Sequence, residues 1–223
     1  LRFNYYPVPI GQFRRDGLPG YWTTGFDNVY LPSYERMMAD RDDADRLILS
    51  FYGKLAHGQT RGTFVSGEGD SVGPRPGEFY RSCYGSPCSA NNAAFLAPLR
   101  LMLVRESFDT ETGAPENLYL AHATPRGWLE DGKRIVVEGA PTCFGPVSFE
   151  IVSRLGEGRI EATVRLPERD PIHAVKLRIR APLGRVLRAV TVNGAAWERV
   201  VAEKETIDLS GSKGELIVSC AYQ

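Results

Sequence analysis

The chain has 223 residues, 43% of them hydrophobic and 24% charged, and its 27 basic side chains are balanced by 27 acidic ones. This composition is typical of one large or two small globular domains and excludes the disordered and fibrous classes. Because the net charge is zero and neither a basic run nor an apolar stretch of about 18 residues occurs, we expect no nucleic-acid partner and no association with a membrane.

The first thirty residues are rich in aromatic side chains. They open with LRFNYYPVPI, which has neither the basic nor the apolar region of a signal peptide. We therefore expect a processed piece or the interior of a longer polypeptide.

The aromatic side chains of this segment are candidates for binding sugar. Rings combined with polar groups can hold sugars, although core or interface packing explains most such rings. The segment GYWTTGFDN mixes both types in a predicted loop, so the preferred substrate-binding candidates are Tyr21, Trp22 and Asp27.

After the first thirty residues, apolar side chains recur at the spacing that is typical of helices. Between Leu31 and His57 the spacing predicts two helices that break at residues 39–42, with Asp42 or Asp43 as the cap of the second helix. A further helix is predicted from Ser89 to Arg105. It is apolar around most of its circumference, which predicts burial, and Pro98 is expected to kink it.

The segment between these helices, residues 57–92, is rich in glycine and proline and is predicted to be irregular. It carries three acids, Glu68, Asp70 and Glu78. Glycines on both sides of Glu68 would let the backbone bring that carboxylate close to a ligand. Paired carboxylates suit the hydrolysis of glycosidic bonds, and a flexible acidic surface turn is the alternative.

After residue 110 the hydrophobic period changes from that of helices to two. Alternation over residues 159–166 and 175–180, with further short candidates between Gly-rich turns, predicts seven or eight antiparallel strands in a β-sandwich. The predicted organisation is therefore a helical domain over residues 1–110 and a β-sandwich over residues 111–223, joined by a connector at Phe108–Glu116.

Cofactor chemistry has no support in the residue spacing. The three histidines are isolated, and the four cysteines form no Cys-x-x-Cys pair, so neither a metal nor an organic cofactor is expected. Cys83 and Cys88 enclose a tight turn that could close a disulfide, with free thiols as the alternative.

Several segments together resemble the C-terminal end of the six-hairpin glycosidases, especially α-L-rhamnosidase-like proteins. In chain order they are AHGQTRGTFVSGEGD, SANNAAFLAPLRLMLVRE and PRGWLEDGKRIVVEGAPTCFGPVSFEI. The resemblance implies an α+β multidomain chain, in which helical hairpins of a partial (α/α)6 barrel precede an antiparallel β-sandwich.

The resemblance also implies site residues. By position Glu68 is the general base, but the family's Thr-x-Trp-Glu pattern is absent, so Asp70 and Glu78 stay as alternatives. Arg61, which stands within that altered pattern, is a candidate for binding substrate. Asn91 and Asn92 take the place of a polar pair facing the barrel mouth, with helix capping as the alternative.

The function implied is the inverting hydrolysis of a glycosidic bond in a polysaccharide or oligosaccharide, without metal or organic cofactor. The general acid would belong to an N-terminal barrel portion outside this chain, so the chain alone is expected to be inactive. Its partners would be that barrel portion and a carbohydrate substrate, and a periplasmic or secreted location is favoured. The alternatives are a non-catalytic carbohydrate-binding module and a structural accessory module.

Overall fold

The computed structural model describes residues 25–27, 33–57, 59–60, 62–75, 78–168 and 172–223. The chain divides into two compact units, Leu1–Met102 and Leu103–Gln223. The division falls before the predicted change at residue 110, because the predicted connector is part of a β-hairpin in the second unit. No helix within the described residues has the length and apolar character needed to cross a bilayer.

Two helices of the first unit form the predicted pair. Helix α1 spans Ser33–Asp40 and α2 spans Ala44–His57, and they pack against each other. Of the two candidate caps, Asp43 is the one used, because its Oδ1 accepts a hydrogen bond from the backbone N–H of Arg46 at 3.1 Å. Asp42 instead takes a left-handed conformation, with φ of 59°, in the turn between the helices.

A three-stranded antiparallel sheet corrects the prediction of an irregular segment at residues 57–92. Strand β1 spans Gly25–Asp27, β2 spans Gly69–Arg75 and β3 spans Glu78–Tyr84, in the order β1-β2-β3. The glycines and proline of β2 argue against a strand when that segment is considered alone. Its partner β3, EFYRSCY, is rich in the aromatic residues that favour strands, and pairing with β3 accounts for β2.

Helix α3 spans Ser89–Leu103, close to the prediction, but it is not buried around its circumference. Within α3 only Asn91, Pro98 and Met102 are buried, whereas Leu96 is 56% exposed. The helix ends before Arg105 because Val104 and the residues after it pair with the following strand. The prediction of all-round burial was wrong because apolar composition does not report which neighbours cover a helix.

The second unit is a β-sandwich of two sheets. One sheet contains β6 (Arg134–Ala140), β7 (Val147–Arg154), β8 (Arg159–Arg165), β10 (Leu187–Val192), β11 (Ala195–Ala196) and β14 (Glu215–Tyr222). The other contains β4 (Val104–Phe108), β5 (Pro115–Leu120), β9 (Ala174–Arg178), β12 (Val200–Val201) and β13 (Thr206–Asp208). Their strand orders are β11-β10-β14-β8-β7-β6 and β12-β13-β9-β5-β4.

One pairing departs from the predicted antiparallel sandwich, since β5 and β9 run parallel. The chain leaves the five-stranded sheet after β5, forms β6, β7 and β8 in the other sheet and then returns to β9. A crossover of this length allows parallel neighbours, which a short hairpin cannot join. The remaining pairs in both sheets are antiparallel, as predicted.

A single apolar core lies between the two sheets. Burial alternates along β7 and β8, so that alternate side chains of each strand face inward, as the period of two predicted. Fully buried side chains come from both sheets and form one cluster; they include Leu118, Ile151, Ile160, Leu177 and Val218. Packing of one face of each sheet against the other therefore stabilises this unit.

The sandwich core also holds a cysteine whose chemistry can be tested. Cys220 is fully buried, and burial raises the pKa of its thiol to about 12, whereas Cys143 is exposed. Because the thiolate is the reactive form, we expect iodoacetamide at pH 8 to modify Cys220 at least roughly a hundredfold more slowly than Cys143 in the folded protein. Mass spectrometry of tryptic peptides measures both rates. Equal rates before unfolding would contradict the placement of Cys220.

Candidate functional site

Glu68, the preferred catalytic candidate, lies immediately before β2 at the end of a short closed loop. Gln59 and Ser66 form a β-bridge that closes this loop, and both are buried. Inside the loop the Thr60 N–H donates to the Val65 carbonyl at 2.8 Å, and the Val65 N–H donates to Thr60 Oγ1 at 2.9 Å. The side chain of Glu68 is half-buried. Hydrogen bonds therefore hold the backbone of the loop that precedes Glu68, while the Glu68 carboxylate stays partly accessible to solvent.

The first turn of α3 holds the residues just before Glu68. Asn91 is fully buried, and its Nδ2 donates a hydrogen bond of 2.7 Å to the carbonyl of Gly67. The Ser66 hydroxyl donates to Asn92 Oδ1 at 2.7 Å, and the Cys88 N–H donates to the Ser66 carbonyl at 2.8 Å. These contacts attach the backbone of the loop to the helix on the side that leads into Glu68.

The turn after β3 lies against the Glu68 side chain. Gly85 has a φ of +64°, a conformation that favours glycine, and a Cβ added there would stand 3.5 Å from Glu68 Oε2. Cys88, which follows this turn, has a free thiol, so the possible Cys83–Cys88 disulfide is not formed in the structure.

The sheet register brings some of the predicted acids together and separates another. Asp27 pairs with Gly69, and Asp70 pairs with Cys83, so the backbones of Asp27 and Asp70 lie at the same end of the sheet as Glu68. Glu78 pairs with Arg75 at the other end of β2 and β3. A strand of seven residues places the two ends about 20 Å apart. That separation is too long for two carboxylates that act on one bond.

The remaining substrate-binding candidates fall into two groups. Tyr21, Trp22 and Arg61 lie outside the described residues. Asn91 and Asn92 lie in the first turn of α3, whose first residue is Ser89, and the contacts given above direct both amide groups to the loop before Glu68. No sequence pattern predicted these amide contacts, because they join residues more than twenty positions apart.

Asn91 gives a direct test of how firmly the loop is held. Replacing Asn91 by Ala removes the donor to the buried Gly67 carbonyl, so we expect the free energy of unfolding to fall by about 1–3 kcal/mol. Asn92→Ala is the comparison and should cost less, because Asn92 is exposed and the Ser66 hydroxyl that donates to it also donates to the Cys88 carbonyl at 2.9 Å. Urea denaturation of both variants measures the difference, and equal losses would contradict the role assigned to Asn91.

Metal chemistry has no candidate in the part of the chain that the structure describes. There, no group of three or more histidine, cysteine, aspartate and glutamate side chains is placed to hold a metal ion. His122, one of the three histidines, is buried against the ring of Tyr119 with 5.4 Å between ring centres.

A second feature, on the sandwich, is a shallow groove of about 160 Å³ on the outer face of the six-stranded sheet. Its polar lining comes from β6, β7 and β8 and consists of Glu138, Ser148, Glu150, Thr163 and Arg165. The pairing of β6 and β7 is irregular after Val137, and the N–H of Gly139 donates to Ser148 Oγ at 2.9 Å. The groove is lined by two carboxylates, two hydroxyls and a guanidinium, of which Arg165 pairs with Glu215 at 2.6 Å and Glu150 pairs with Arg134 at 3.4 Å.

Comparison with known proteins finds only distant likenesses, all to solved structures. No protein-family model matches the chain, and no curated protein matches it. One solved structure, described as a glycoside hydrolase, aligns with 84% of this chain at a TM-score of 0.41 and 16% sequence identity. The chain spans 30% of the length of that structure. The description names glycoside hydrolases in general and does not mention rhamnosidases.

Proposed function

We propose that this chain is the C-terminal portion of a glycoside hydrolase, with Glu68 as the general base. The helices before the sandwich would belong to the last hairpins of an (α/α)6 barrel. The proposal is supported by the sequence resemblance described above and by the surroundings of Glu68. The observation that carries it is the hydrogen bond from Asn91 to the carbonyl of Gly67, which holds the residue next to a half-buried carboxylate.

A general base needs a well-defined position, because its carboxylate must lie within hydrogen-bond distance of the attacking water from which it takes a proton. Holding a catalytic group in a productive geometry can supply much of the rate enhancement, and small displacements cost a large part of it. Two features support such a position for Glu68: the closure of its loop at Gln59 and Ser66, and the attachment of the loop to α3. A flexible acidic surface turn, the alternative, would not need these buried amide contacts.

In the proposed reaction the Glu68 carboxylate accepts a proton from water as the water oxygen attacks the anomeric carbon. A carboxylic acid on the opposite side protonates the leaving oxygen, and the glycosidic bond breaks with inversion. The two carboxyl groups of an inverting pair stand about 6.5–9.5 Å apart, which leaves room for the water. The acid would be supplied by the N-terminal barrel portion, so the chain alone would not turn over substrate.

The other acids at this end of the sheet have secondary places in the proposal. Asp70 is the first alternative base, since it follows Glu68 by two residues and its backbone lies at the same end. Asp27 would contribute to substrate binding from β1, beside Gly69. Glu78 fits the reaction less well because its position in the register is at the far end of the sheet.

The alternative function is a carbohydrate-binding module without catalysis, and the groove on the sandwich is the observation that favours it. Sugar hydroxyls can donate to Glu138 and Glu150 and accept from Arg165, and all three residues line one groove. In that function the groove would bind the glycan, and Glu68 would have no chemical role.

The experiment that separates these functions compares Glu68→Gln with the unchanged protein in the full polypeptide that carries this chain. Hydrolysis and binding are measured on the same neutral oligosaccharides. Loss of hydrolysis with retained binding is expected from the proposal. Unchanged hydrolysis would contradict the assignment of Glu68. Loss of binding in a Glu138→Gln variant with no effect of Glu68→Gln would favour the binding module.

A further inference from the structure

Phe64 is an exposed aromatic side chain in the same loop that leads to Glu68. Its exposure is 56%, and the neighbouring Val65 is 39% exposed. An exposed phenylalanine is common on protein surfaces when it stands alone and needs no special explanation. The backbone of this one is unusual, because its φ is 54°.

A left-handed conformation is unfavourable for a bulky residue, and asparagine or glycine adopt it more readily. Phe64 is held there by a hydrogen bond of 3.0 Å from its N–H to the Thr60 carbonyl, within the loop closed by Gln59 and Ser66. The left-handed backbone of Phe64 therefore lowers the stability of the fold, and the ring that it carries is exposed to solvent. Strained residues of this kind are concentrated at functional sites.

The loop that carries the ring also carries polar groups that suit a sugar. Thr60 and Thr63 lie in the same loop, with 2.5 Å between their hydroxyl oxygens, and both can exchange hydrogen bonds with sugar hydroxyls. The apolar face of a pyranose packs on an aromatic ring, while its hydroxyl groups reach polar neighbours. The same loop then continues through Gly67 to the carboxylate of Glu68.

We propose that Phe64 is the platform on which a neutral pyranose ring of the substrate packs, in a subsite next to Glu68. The proposal rests on the proposed function, because it takes Glu68 as the group that acts on the bond. It specifies the substrate class further: the unit bound in this subsite is an uncharged pyranose with one apolar face.

The test uses Phe64→Asn in a Glu68→Gln background, in the full polypeptide, so that ligands are bound without being hydrolysed. Asparagine tolerates the left-handed backbone but offers no ring. The probes are cellopentaose, xylopentaose, mannopentaose and 4-nitrophenyl α-L-rhamnopyranoside, measured by calorimetry. We expect Phe64→Asn to weaken binding of the best probe about tenfold, without lowering the Tm, and Phe64→Trp to restore the affinity.

Leu96→Gln is the matched control, because Leu96 is also 56% exposed and lies on α3 in the same unit. Its affinity should equal that of the Glu68→Gln parent. Equal affinity of the Phe64→Asn and Leu96→Gln variants would overturn the proposal, as would a large fall in Tm with unchanged affinity, which would make the ring a packing group. Failure of the parent to bind any probe would overturn the neutral pyranose class. The proposed function is tested separately: it is contradicted only if the Glu68→Gln variant hydrolyses substrate as fast as the unchanged protein.

Discussion

Replacing Glu68 by glutamine is expected to lower kcat by about two to four orders of magnitude, while KM changes little. Glutamine keeps the size of the side chain but cannot take the proton of the attacking water. Losing a general base removes about 3–5 kcal/mol of transition-state stabilisation. The measurement is the steady-state rate of reducing-sugar release by the full polypeptide on the best of the neutral oligosaccharides.

Three further variants make this result specific to Glu68. Glu111→Gln is the matched control, because Glu111 is exposed in the turn between β4 and β5 and should keep the wild-type rate. Asp70→Asn tests the alternative base at the same end of the sheet. Glu78→Gln tests the acid at the far end, where we expect less than a threefold effect. If Asp70→Asn removes activity and Glu68→Gln does not, the base is Asp70 and the assignment of Glu68 is wrong.

Features with short-range causes were predictable from the sequence. The cap of α2 is one example, because Asp43 and Arg46 are three residues apart and the preference of aspartate for this position is local. The alternation of Ile160, Ala162 and Val164 predicted one face of β8, and these residues do lie in the core. In both cases the residues that determine the structure are close together in the chain.

Features that depend on distant partners were not predictable. The strand β2 has no hydrophobic period of its own. It is a strand because it pairs with β3, and that pairing is visible only in the structure. The exposure of Leu96 depends on which neighbours cover α3. At the candidate site, glycines on both sides of Glu68 indicated a special backbone, but the contact between the Asn91 amide and the Gly67 carbonyl joins residues 24 positions apart and has no local signature. Long-range contacts therefore determine most of the features that could not be predicted from the sequence.

Replacing Lys54 by methionine is expected to destabilise the first unit by about 3–5 kcal/mol. Lys54 and Glu35 are 3% and 2% exposed, and Lys54 Nζ lies 2.9 Å from Glu35 Oε1. The same ammonium donates to the Ala94 carbonyl at 3.2 Å, and the Ser50 hydroxyl donates to Glu35 Oε1 at 2.6 Å. Methionine leaves a buried carboxylate with the hydroxyl but no cation, and an uncompensated buried charge carries this cost. Urea denaturation, followed by hydrogen exchange of α1 and α2 amides, measures the loss.

Two controls distinguish the charge from the volume of the side chain. Arg36→Met breaks an exposed ion pair with Asp40 on α1, with atoms 3.5 Å apart, and should cost less than about 1 kcal/mol. The double variant Glu35→Met, Lys54→Met removes both buried charges and should recover most of the stability, because apolar groups of similar size can replace a buried pair. A double variant as unstable as Lys54→Met would show that packing dominates. Since Lys54 binds the carbonyl of Ala94 on α3, the helix that carries Asn91, its loss should also loosen the attachment of the Glu68 loop.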